Sequence, residues 1–241
     1  MKTKRFLLAA GLVLALAFTV GCGPAPQRAE TIPPGAKIIQ IGVTAVESDP
    51  RDGKEYKTVI MGEQTWMAEN LNYNAEGSKC YGEGGEVATS FDNKGNPTAK
   101  KTLSDKEVLD NCQKYGRLYD WNTAKEACPS GWHLPSDKEW QILVDFLGGG
   151  KVAGKKLKSK VGWNNNGNGT DYYKFSAMPG GQFASDAFVF SSEGKAGAWW
   201  GANDNNSAFV ILDVYDDAIL LNDVKEYASS LISVRCLRDS P

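Results

Sequence analysis

A helix start in the middle of the chain is the feature that most constrains the fold. Ser136 is a favourable N-cap, and Glu139 three residues later completes a capping box. Apolar residues then recur at helical spacing, at Trp140, Leu143, Val144 and Leu147. Three glycines follow at 148–150 and are expected to end the helix, because glycine adopts the left-handed conformation found at helix C-termini.

A second, shorter helix is expected just upstream, over Asp120–Ala127, with Pro129 as its breaker. The connection between the two helices, CPSGWHLP, is rich in proline and aromatic residues, so we interpret it as a packed corner. Ser104 and Glu107 repeat the capping pattern and are compatible with a further short helix ending near Cys112.

The N-terminus has the organisation of an export signal. A basic start precedes the apolar run Phe6–Val20, which is too short for an ordinary membrane span. The sequence Thr19-Val20-Gly21-Cys22 resembles the lipobox of bacterial lipoproteins, although Thr19 departs from the usual leucine-like residue. We expect residues 1–21 to be a signal peptide and Cys22 to be lipidated, with a plain secretory signal as the alternative.

The expected address is therefore the bacterial cell envelope. We expect a lipid anchor with palmitate among its acyl chains, and the outer membrane as the location. Residues 22–51, proline-rich at first, are expected to form a tether, and residues 52–239 a single domain. Signal removal takes three of the 27 basic residues and none of the 29 acidic ones, leaving a formal charge of −5. This balance does not favour nucleic acid as a partner.

The cysteine content agrees with export into an oxidising compartment. Apart from Cys22 there are four cysteines, which allow three disulfide pairings. We expect Cys80–Cys112 and Cys128–Cys236, the second joining the helical corner to the last strand. The alternative, a zinc site, is disfavoured because no CxxC pair is present and the single histidine lies near no cysteine pair.

The remaining segments indicate an α+β domain with small antiparallel sheets and long loops. Tyr56–Met61 is expected to be a strand, and Ala208–Val214 and Ala218–Leu221 a pair of strands around a turn. Ser230–Leu237 would be the closing strand. Cys80–Lys101 is glycine-rich and charged, and is expected to be a surface loop.

Five segments carry a family resemblance, in the order YKTVIMGEQTWMAENLNY, YGRLYDWNTAKEACPSGWHLPSDKEW, AGKKLKS, GWNNNGNGTDYYKFSAMPGG and SVRCLRD. Together they resemble the Fibrobacter succinogenes major paralogous domain, over about 52–239. The resemblance implies an exported, often lipid-anchored domain. More distantly, HLPSDKEW and SVRCLRD look like motifs of formylglycine-generating-enzyme-like proteins, which implies a C-type-lectin-like fold. WWGANDNN departs from the serine-rich pattern common in the family.

The residues disfavour catalysis. His133 is the only histidine, and we expect it to be a packed, hydrogen-bonded residue. With four cysteines in disulfides no thiol nucleophile remains, and neither GxSxG nor HExxH is present. The alternative is a glycan hydrolase using a carboxylate pair. Its candidate residues are Asp204, Asp213, Asp216 and Asp217.

The favoured function is non-catalytic binding of polysaccharide, or adhesion, at the cell surface. Sugars stack on aromatic rings, while amide and carboxylate groups bond their hydroxyls. The candidate ligand-binding residues are Trp163, Asn165, Asn166, Trp199, Trp200, Asn203, Asp204 and Asn205. If 199–200 is extended, one tryptophan should face the interior and one the solvent. A structural or protein-interaction role in the envelope is the other alternative.

No cofactor is expected. Calcium is a lesser possibility, because Asn164, Asn166, Asn168 and Gly169 mimic the first positions of an EF-hand loop. Phe175 stands where that loop needs glutamate, and only Asp171 would bring charge, so we predict no true EF-hand.

Overall fold

The structure, a computed structural model, describes residues 43–185, 187–202, 207–213, 215–223 and 230–240. These residues fall within the unit Ile38–Pro241. The predicted signal peptide and Cys22 lie outside the described residues, as do the candidates Asn203, Asp204 and Asn205. No helix in the described ranges is long and apolar enough to cross a membrane.

Four helices occur in the described part of the chain. They are α1 (Asp105–Tyr115), α2 (Trp121–Ala127), α3 (Asp137–Phe146) and α4 (Gly150–Leu157). Both predicted capping boxes are present, since Ser104 pairs with Glu107 before α1 and Ser136 pairs with Glu139 before α3.

The two short helices expected around the corner (α2 and α3) and the further one near Cys112 (α1) are present, but α4 was not expected, and the three glycines explain part of the difference. They do end α3, but they also begin α4, where Gly149 is the N-cap. Gly148 and Gly149 both have a φ of +96°, which lets the chain reverse between the two helices within a few residues. The α4 sequence, GKVAGKKL, buries Ala153 and Leu157 on one face.

The first sheet has five strands in the order β1-β2-β3-β14-β7, and every pairing is antiparallel. Its strands are β1 (Val43–Ser48), β2 (Glu55–Met61), β3 (Gln64–Met67), β7 (Trp132–His133) and β14 (Leu237–Arg238). Because β1 pairs along β2, residues 43–48 of the expected tether belong to the first sheet.

The second sheet has nine strands and is mixed, so it is larger and less regular than expected. Its main order is β12-β11-β10-β8-β9-β4-β5, with β13 beside β10 and β6 beside β13. Its strands are β4 (Glu86–Phe91), β5 (Pro97–Thr102), β6 (Leu118–Tyr119), β8 (Gly180–Ala184), β9 (Val189–Glu193), β10 (Ala196–Ala202), β11 (Ser207–Asp213), β12 (Ile219–Asp223) and β13 (Ile232–Ser233). The pairs β8–β10, β4–β9 and β10–β13 are parallel.

Two predicted regions differ in detail from the structure. The glycine-rich segment expected to be a loop contains the hairpin β4–β5, which turns at Gly95 with a φ of +84°. The expected closing strand Ser230–Leu237 is instead two short strands, β13 and β14, one in each sheet. This segment therefore joins the two sheets. The predicted pair β11–β12 is confirmed as antiparallel.

Both expected disulfides are present, and they tie helices to distant parts of the domain. Cys80 pairs with Cys112 of α1 across 32 residues. Cys128, directly after α2, pairs with Cys236 across 108 residues. The second bond fixes the helical corner to the segment that enters β14.

Candidate ligand-binding surface

The two adjacent tryptophans of β10 are both buried, which overturns their predicted role in sugar stacking. Trp199 is 1 % exposed and Trp200 is 0 % exposed. Their side chains enter different parts of the core, as alternation along a strand predicts. Both faces of β10 are covered, so neither ring reaches the solvent.

The indole N–H groups of these tryptophans are satisfied inside the protein. Trp199 Nε1 donates to Asn70 Oδ1 at 2.8 Å, and Trp200 Nε1 donates to the carbonyl oxygen of Tyr119 at 2.7 Å. A buried indole with its polar atom bonded in this way is a core anchor.

Trp163 is a third anchor, and it holds the amide-rich segment in place. The ring is buried, and Nε1 donates to the carbonyl oxygen of Ala177 at 3.0 Å. The backbone N–H of Trp163 donates to Asn168 Oδ1 at 3.0 Å. Its predicted stacking role is therefore also wrong, and its contribution is to position the loop that follows.

The loop after Trp163 displays three consecutive amides. Asn164, Asn165 and Asn166 are all exposed, and the N–H of Gly167 donates to the carbonyl oxygen of Asn164 at 2.8 Å. Asn165 and Asn166 have φ values of +50° and +60°. Asparagine tolerates this left-handed conformation better than most residues, which explains why the turn uses it.

Tyr215 lies against this loop and supplies the exposed ring that the tryptophans do not. It is 77 % exposed, at the turn between β11 and β12, and its hydroxyl accepts a hydrogen bond from Asn165 Nδ2 at 3.0 Å. The turn is fixed by two aspartates. Asp213 Oδ1 accepts from the N–H of Tyr215, and Asp216 Oδ1 accepts from the N–H of Ala218.

A cleft of about 400 Å³ adjoins the same turn. Tyr172, which is more than half exposed, lines it together with Thr170, Asp217 and Lys155. We refer to Asn164, Asn165, Asn166, Tyr172 and Tyr215 as the amide–tyrosine surface. It combines exposed tyrosine rings with exposed amides, and its Tyr172 lines the cleft.

Helix α4 holds the turn below this surface through buried Lys158. Lys158 Nζ donates to the carbonyl oxygen of Asp216 at 2.5 Å and lies 4.9 Å above the Trp163 ring. Burial lowers the pKa of Lys158, and the nearby Asp217 carboxylate opposes this shift. The N–H of Lys155 also donates to the carbonyl oxygen of Asp217. Two positions next to the amide–tyrosine surface are thereby fixed to the helix.

The candidate carboxylates of a hydrolase that lie within the described residues all have structural partners. Asp213 and Asp216 accept backbone N–H groups of their own turn, and Asp217 lies 3.8 Å from Lys155 Nζ. Asp204 lies outside the described residues.

The carboxylate that the calcium alternative depends on is also engaged. Asp171 accepts the backbone N–H of Ser176 at 2.7 Å with one oxygen and the Ser176 hydroxyl at 2.9 Å with the other. Within the described ranges, no group of three acidic, histidine or cysteine residues is placed to hold a metal ion.

His133 is hydrogen-bonded, as predicted, but it is only partly packed, since its side chain is 36 % exposed. Nδ1 lies 2.7 Å from Asp239 Oδ1, and Nε2 lies 3.0 Å from Glu139 Oε1. Burial alone would lower the pKa of His133, but its hydrogen bonds to Asp239 and Glu139 outweigh burial and hold the pKa above its ordinary value.

Tyr172 and Tyr215 were missed from the sequence, although a signal was present. Tyr215 stands between aspartates at a predicted strand turn, and Tyr172 directly follows the amide-rich run. An aromatic residue at a polar turn has fewer neighbours to cover it than one inside an apolar strand. Turn position was a better indicator of ring exposure than residue type.

The described domain is thus a disulfide-bonded α+β protein that presents amides and tyrosines on loops held by buried tryptophans. The family model of the Fibrobacter succinogenes major domain matches residues 59–238. The chain belongs to this family. No curated protein matches the chain, and no solved structure matches it.

Proposed function

We propose that this protein is a membrane-anchored, exported lipoprotein whose domain is a non-catalytic surface module for binding polysaccharide or for adhesion. The observation that carries the proposal is the exposed Tyr215 ring, held by Asn165 and flanked by further amides. A flat ring offers an apolar face to a sugar, and neighbouring amides can both donate to and accept from its hydroxyls. Because the loop is anchored by Trp163 and Lys158, little order would have to be gained on binding.

The fold proposed for this module is a C-type-lectin-like frame. Its support is the way the domain closes, since β14 lies between β3 and β7 and Cys236 joins the helical corner beside it. The motifs HLPSDKEW and SVRCLRD meet at this closure, where Leu237 pairs with His133. The proposed address is the outer membrane, through acyl chains on Cys22 and a tether leading to the domain.

Affinity electrophoresis of the exported chain in a panel of plant and bacterial polysaccharides tests this function. We expect retardation by at least one polysaccharide, and we expect Tyr215→Ala to weaken binding roughly tenfold. A tenfold loss corresponds to about 1.4 kcal/mol, which lies within the range expected when an aromatic ring is removed from the centre of a binding surface. Tyr215→Phe keeps the ring and loses only the bond to Asn165, so its loss should be smaller.

Phe188→Ala is the matched control, because Phe188 is as exposed as Tyr215, at 76 %, and lies between β8 and β9 instead. Its retardation should equal that of the unaltered chain. If no polysaccharide retards the protein, or if Phe188→Ala weakens binding as much as Tyr215→Ala, the amide–tyrosine surface is not the site. In the first case the structural or protein-partner role takes precedence. Release of sugar that Asp217→Asn abolishes would instead establish a hydrolase.

A further inference from the structure

Arg117 lies directly against the Cys80–Cys112 disulfide. Its Nη1 group donates to Cys80 Sγ at 3.2 Å and approaches Cys112 Sγ at 3.6 Å. The residue is 8 % exposed, and its other side-chain N–H groups are fixed by Ser78 and Glu83, each at 2.9 Å. The guanidinium is therefore held in one orientation with its charge closest to Cys80.

The other cysteine of this bond, Cys112, lines a cleft. A cavity of about 430 Å³ between α1 and the segment after β3 is lined by Cys112, together with Lys54, Asn70 and Lys114. Cys112 is 9 % exposed, whereas Cys80 is 3 % exposed. A small thiol entering the cleft would meet Cys112 first.

We infer that Cys112 is a site of reversible modification by small thiols, with Cys80 as the leaving sulfur stabilised by Arg117. In the first step a thiol, having lost its proton to water, attacks Cys112 Sγ as a thiolate. A bond forms between the two sulfurs, the Cys80–Cys112 bond breaks, and its electron pair goes to Cys80 as a thiolate. A second thiol can then attack the mixed disulfide and release Cys112, so that two thiols are oxidised and one protein disulfide is reduced.

The physical basis of the inference is the leaving group. Thiol–disulfide exchange is faster when the leaving thiolate is stabilised, and a neighbouring arginine stabilises a thiolate. No described arginine or lysine donates to the sulfur of Cys128 or Cys236. Attack on Cys128 would also leave a thiolate on fully buried Cys236, which has no such compensation.

Solvent exposure alone predicts that the two disulfides react in the opposite order. Cys128 is partly exposed and Cys112 is nearly buried, so a reagent limited only by access would reach the Cys128–Cys236 bond first. The two explanations are therefore distinguished by which disulfide reacts.

The experiment treats the oxidised mature chain with glutathione under native conditions, traps free thiols with an alkylating reagent and maps the peptides without further reduction. We expect a glutathione adduct on Cys112 and an alkylated Cys80, at times when Cys128 and Cys236 remain joined. Adduct formation first on Cys128 or Cys236, or an adduct on Cys80 with Cys112 alkylated, would overturn the inference.

Two variants with opposite expected effects separate the role of charge from loss of structure. Arg117→Gln removes the cation and should slow adduct formation roughly fivefold, because the charge-assisted bond to the leaving thiolate is lost. Glu83→Gln keeps the acceptor for Cys80 N–H but removes the carboxylate that partly neutralises Arg117. This variant should therefore accelerate adduct formation. If the substitutions only loosened the local structure, thiol–disulfide exchange would become faster in both variants. That result would contradict the inference. Glu83 is substantially exposed, so its variant tests the charge effect even if Arg117→Gln does not fold.

Discussion

Arg235 joins three parts of the core through its guanidinium. The side chain is fully buried and donates to Asn70 Oδ1 and to the carbonyl oxygens of Met67 and Phe175. Asn70 Oδ1 also accepts from Trp199, so this amide oxygen joins Arg235 to β10, while the guanidinium itself bonds β3 and Phe175. No described carboxylate forms an ion pair with Arg235, and burial lowers its pKa to about 9. Oriented dipoles and the Phe175 ring, 4.3 Å away, compensate the charge.

His133 is the residue from which a pH dependence follows most directly. It lies between the carboxylates of Glu139 and Asp239, so it connects the N-terminus of α3 to the C-terminal segment. These hydrogen bonds, opposing the effect of burial, raise the pKa of His133 above its ordinary 6.5. A raised pKa in the folded state means that the protonated histidine stabilises the fold.

We predict that this contribution is complete below about pH 6.5 and is lost as the pH rises through the folded-state pKa. His133→Gln should therefore lower the free energy of unfolding more at low pH than at high pH. Urea unfolding of both proteins between about pH 5.5 and pH 9 measures the difference. Burial opposes the shift, but hydrogen bonds from Ser136 and His133 lower the pKa of Glu139, so this carboxylate stays ionised over the measured pH range and the comparison isolates the histidine. Parallel stability profiles for the two proteins would show that the ion pairs contribute nothing.

The environment of a residue was predictable where it depends on the local sequence. It was less predictable where burial depends on residues that are distant in the chain. The hydrogen-bonded His133 was predicted from its apolar corner. The tryptophans at 199–200 were assigned to opposite faces correctly, but the cover over the second face comes from residues far away in the chain, such as Tyr119 and Val234. The local sequence does not contain that information. The burial of both tryptophan rings, and the exposure of tyrosine rings in their place, was therefore not predicted.

At the scale of elements, helix α3 is the part of the fold that the sequence specifies most fully. Its capping box, apolar stripe and terminal glycine are all local signals, and all are present in the structure. Helix α4 was missed because its sequence contains two glycines and follows a glycine run. Its stability comes instead from packing, since a Cβ on Gly154 would lie 2.4 Å from the carbonyl oxygen of Asp217.

We predict that Ser136→Ala lowers the free energy of unfolding by about 1 kcal/mol, because the N–H of Glu139 loses its acceptor and Glu139 loses a partner. The measurement is the urea midpoint at constant slope. Ser104→Ala removes the equivalent cap of α1 and is the control. Its effect should be smaller, because α1 contributes only Cys112 and Tyr115 to the buried interior. If both variants lost the same free energy of unfolding, the packing of α3 would not increase the contribution of its cap.

At the scale of the whole molecule, the closing segment 230–239 and its disulfide organise the domain. Strand β13 pairs within the second sheet and β14 within the first, and Cys236 lies between them. The pairing Cys128–Cys236 was expected because it joins the helical corner to the last strand, and the structure contains it. The distribution of β13 and β14 over two sheets was not predictable, because strand patterns give no information on which sheet a short strand joins.

The proposed attachment of this domain to a membrane depends on acyl chains at Cys22, and we predict that Cys22→Ser releases the protein from the envelope. The serine hydroxyl cannot replace the thiol that receives the lipid, and each buried methylene of an acyl chain contributes about 0.8 kcal/mol to membrane binding. The measurement is the partition of the exported protein between membrane and soluble fractions, with the intact mass of the mature N-terminus recorded for both. Thr19→Leu is the control, since it brings the motif closer to the usual lipobox and should leave the protein anchored. If exported Cys22→Ser protein still fractionates with membranes, another part of the chain provides the attachment.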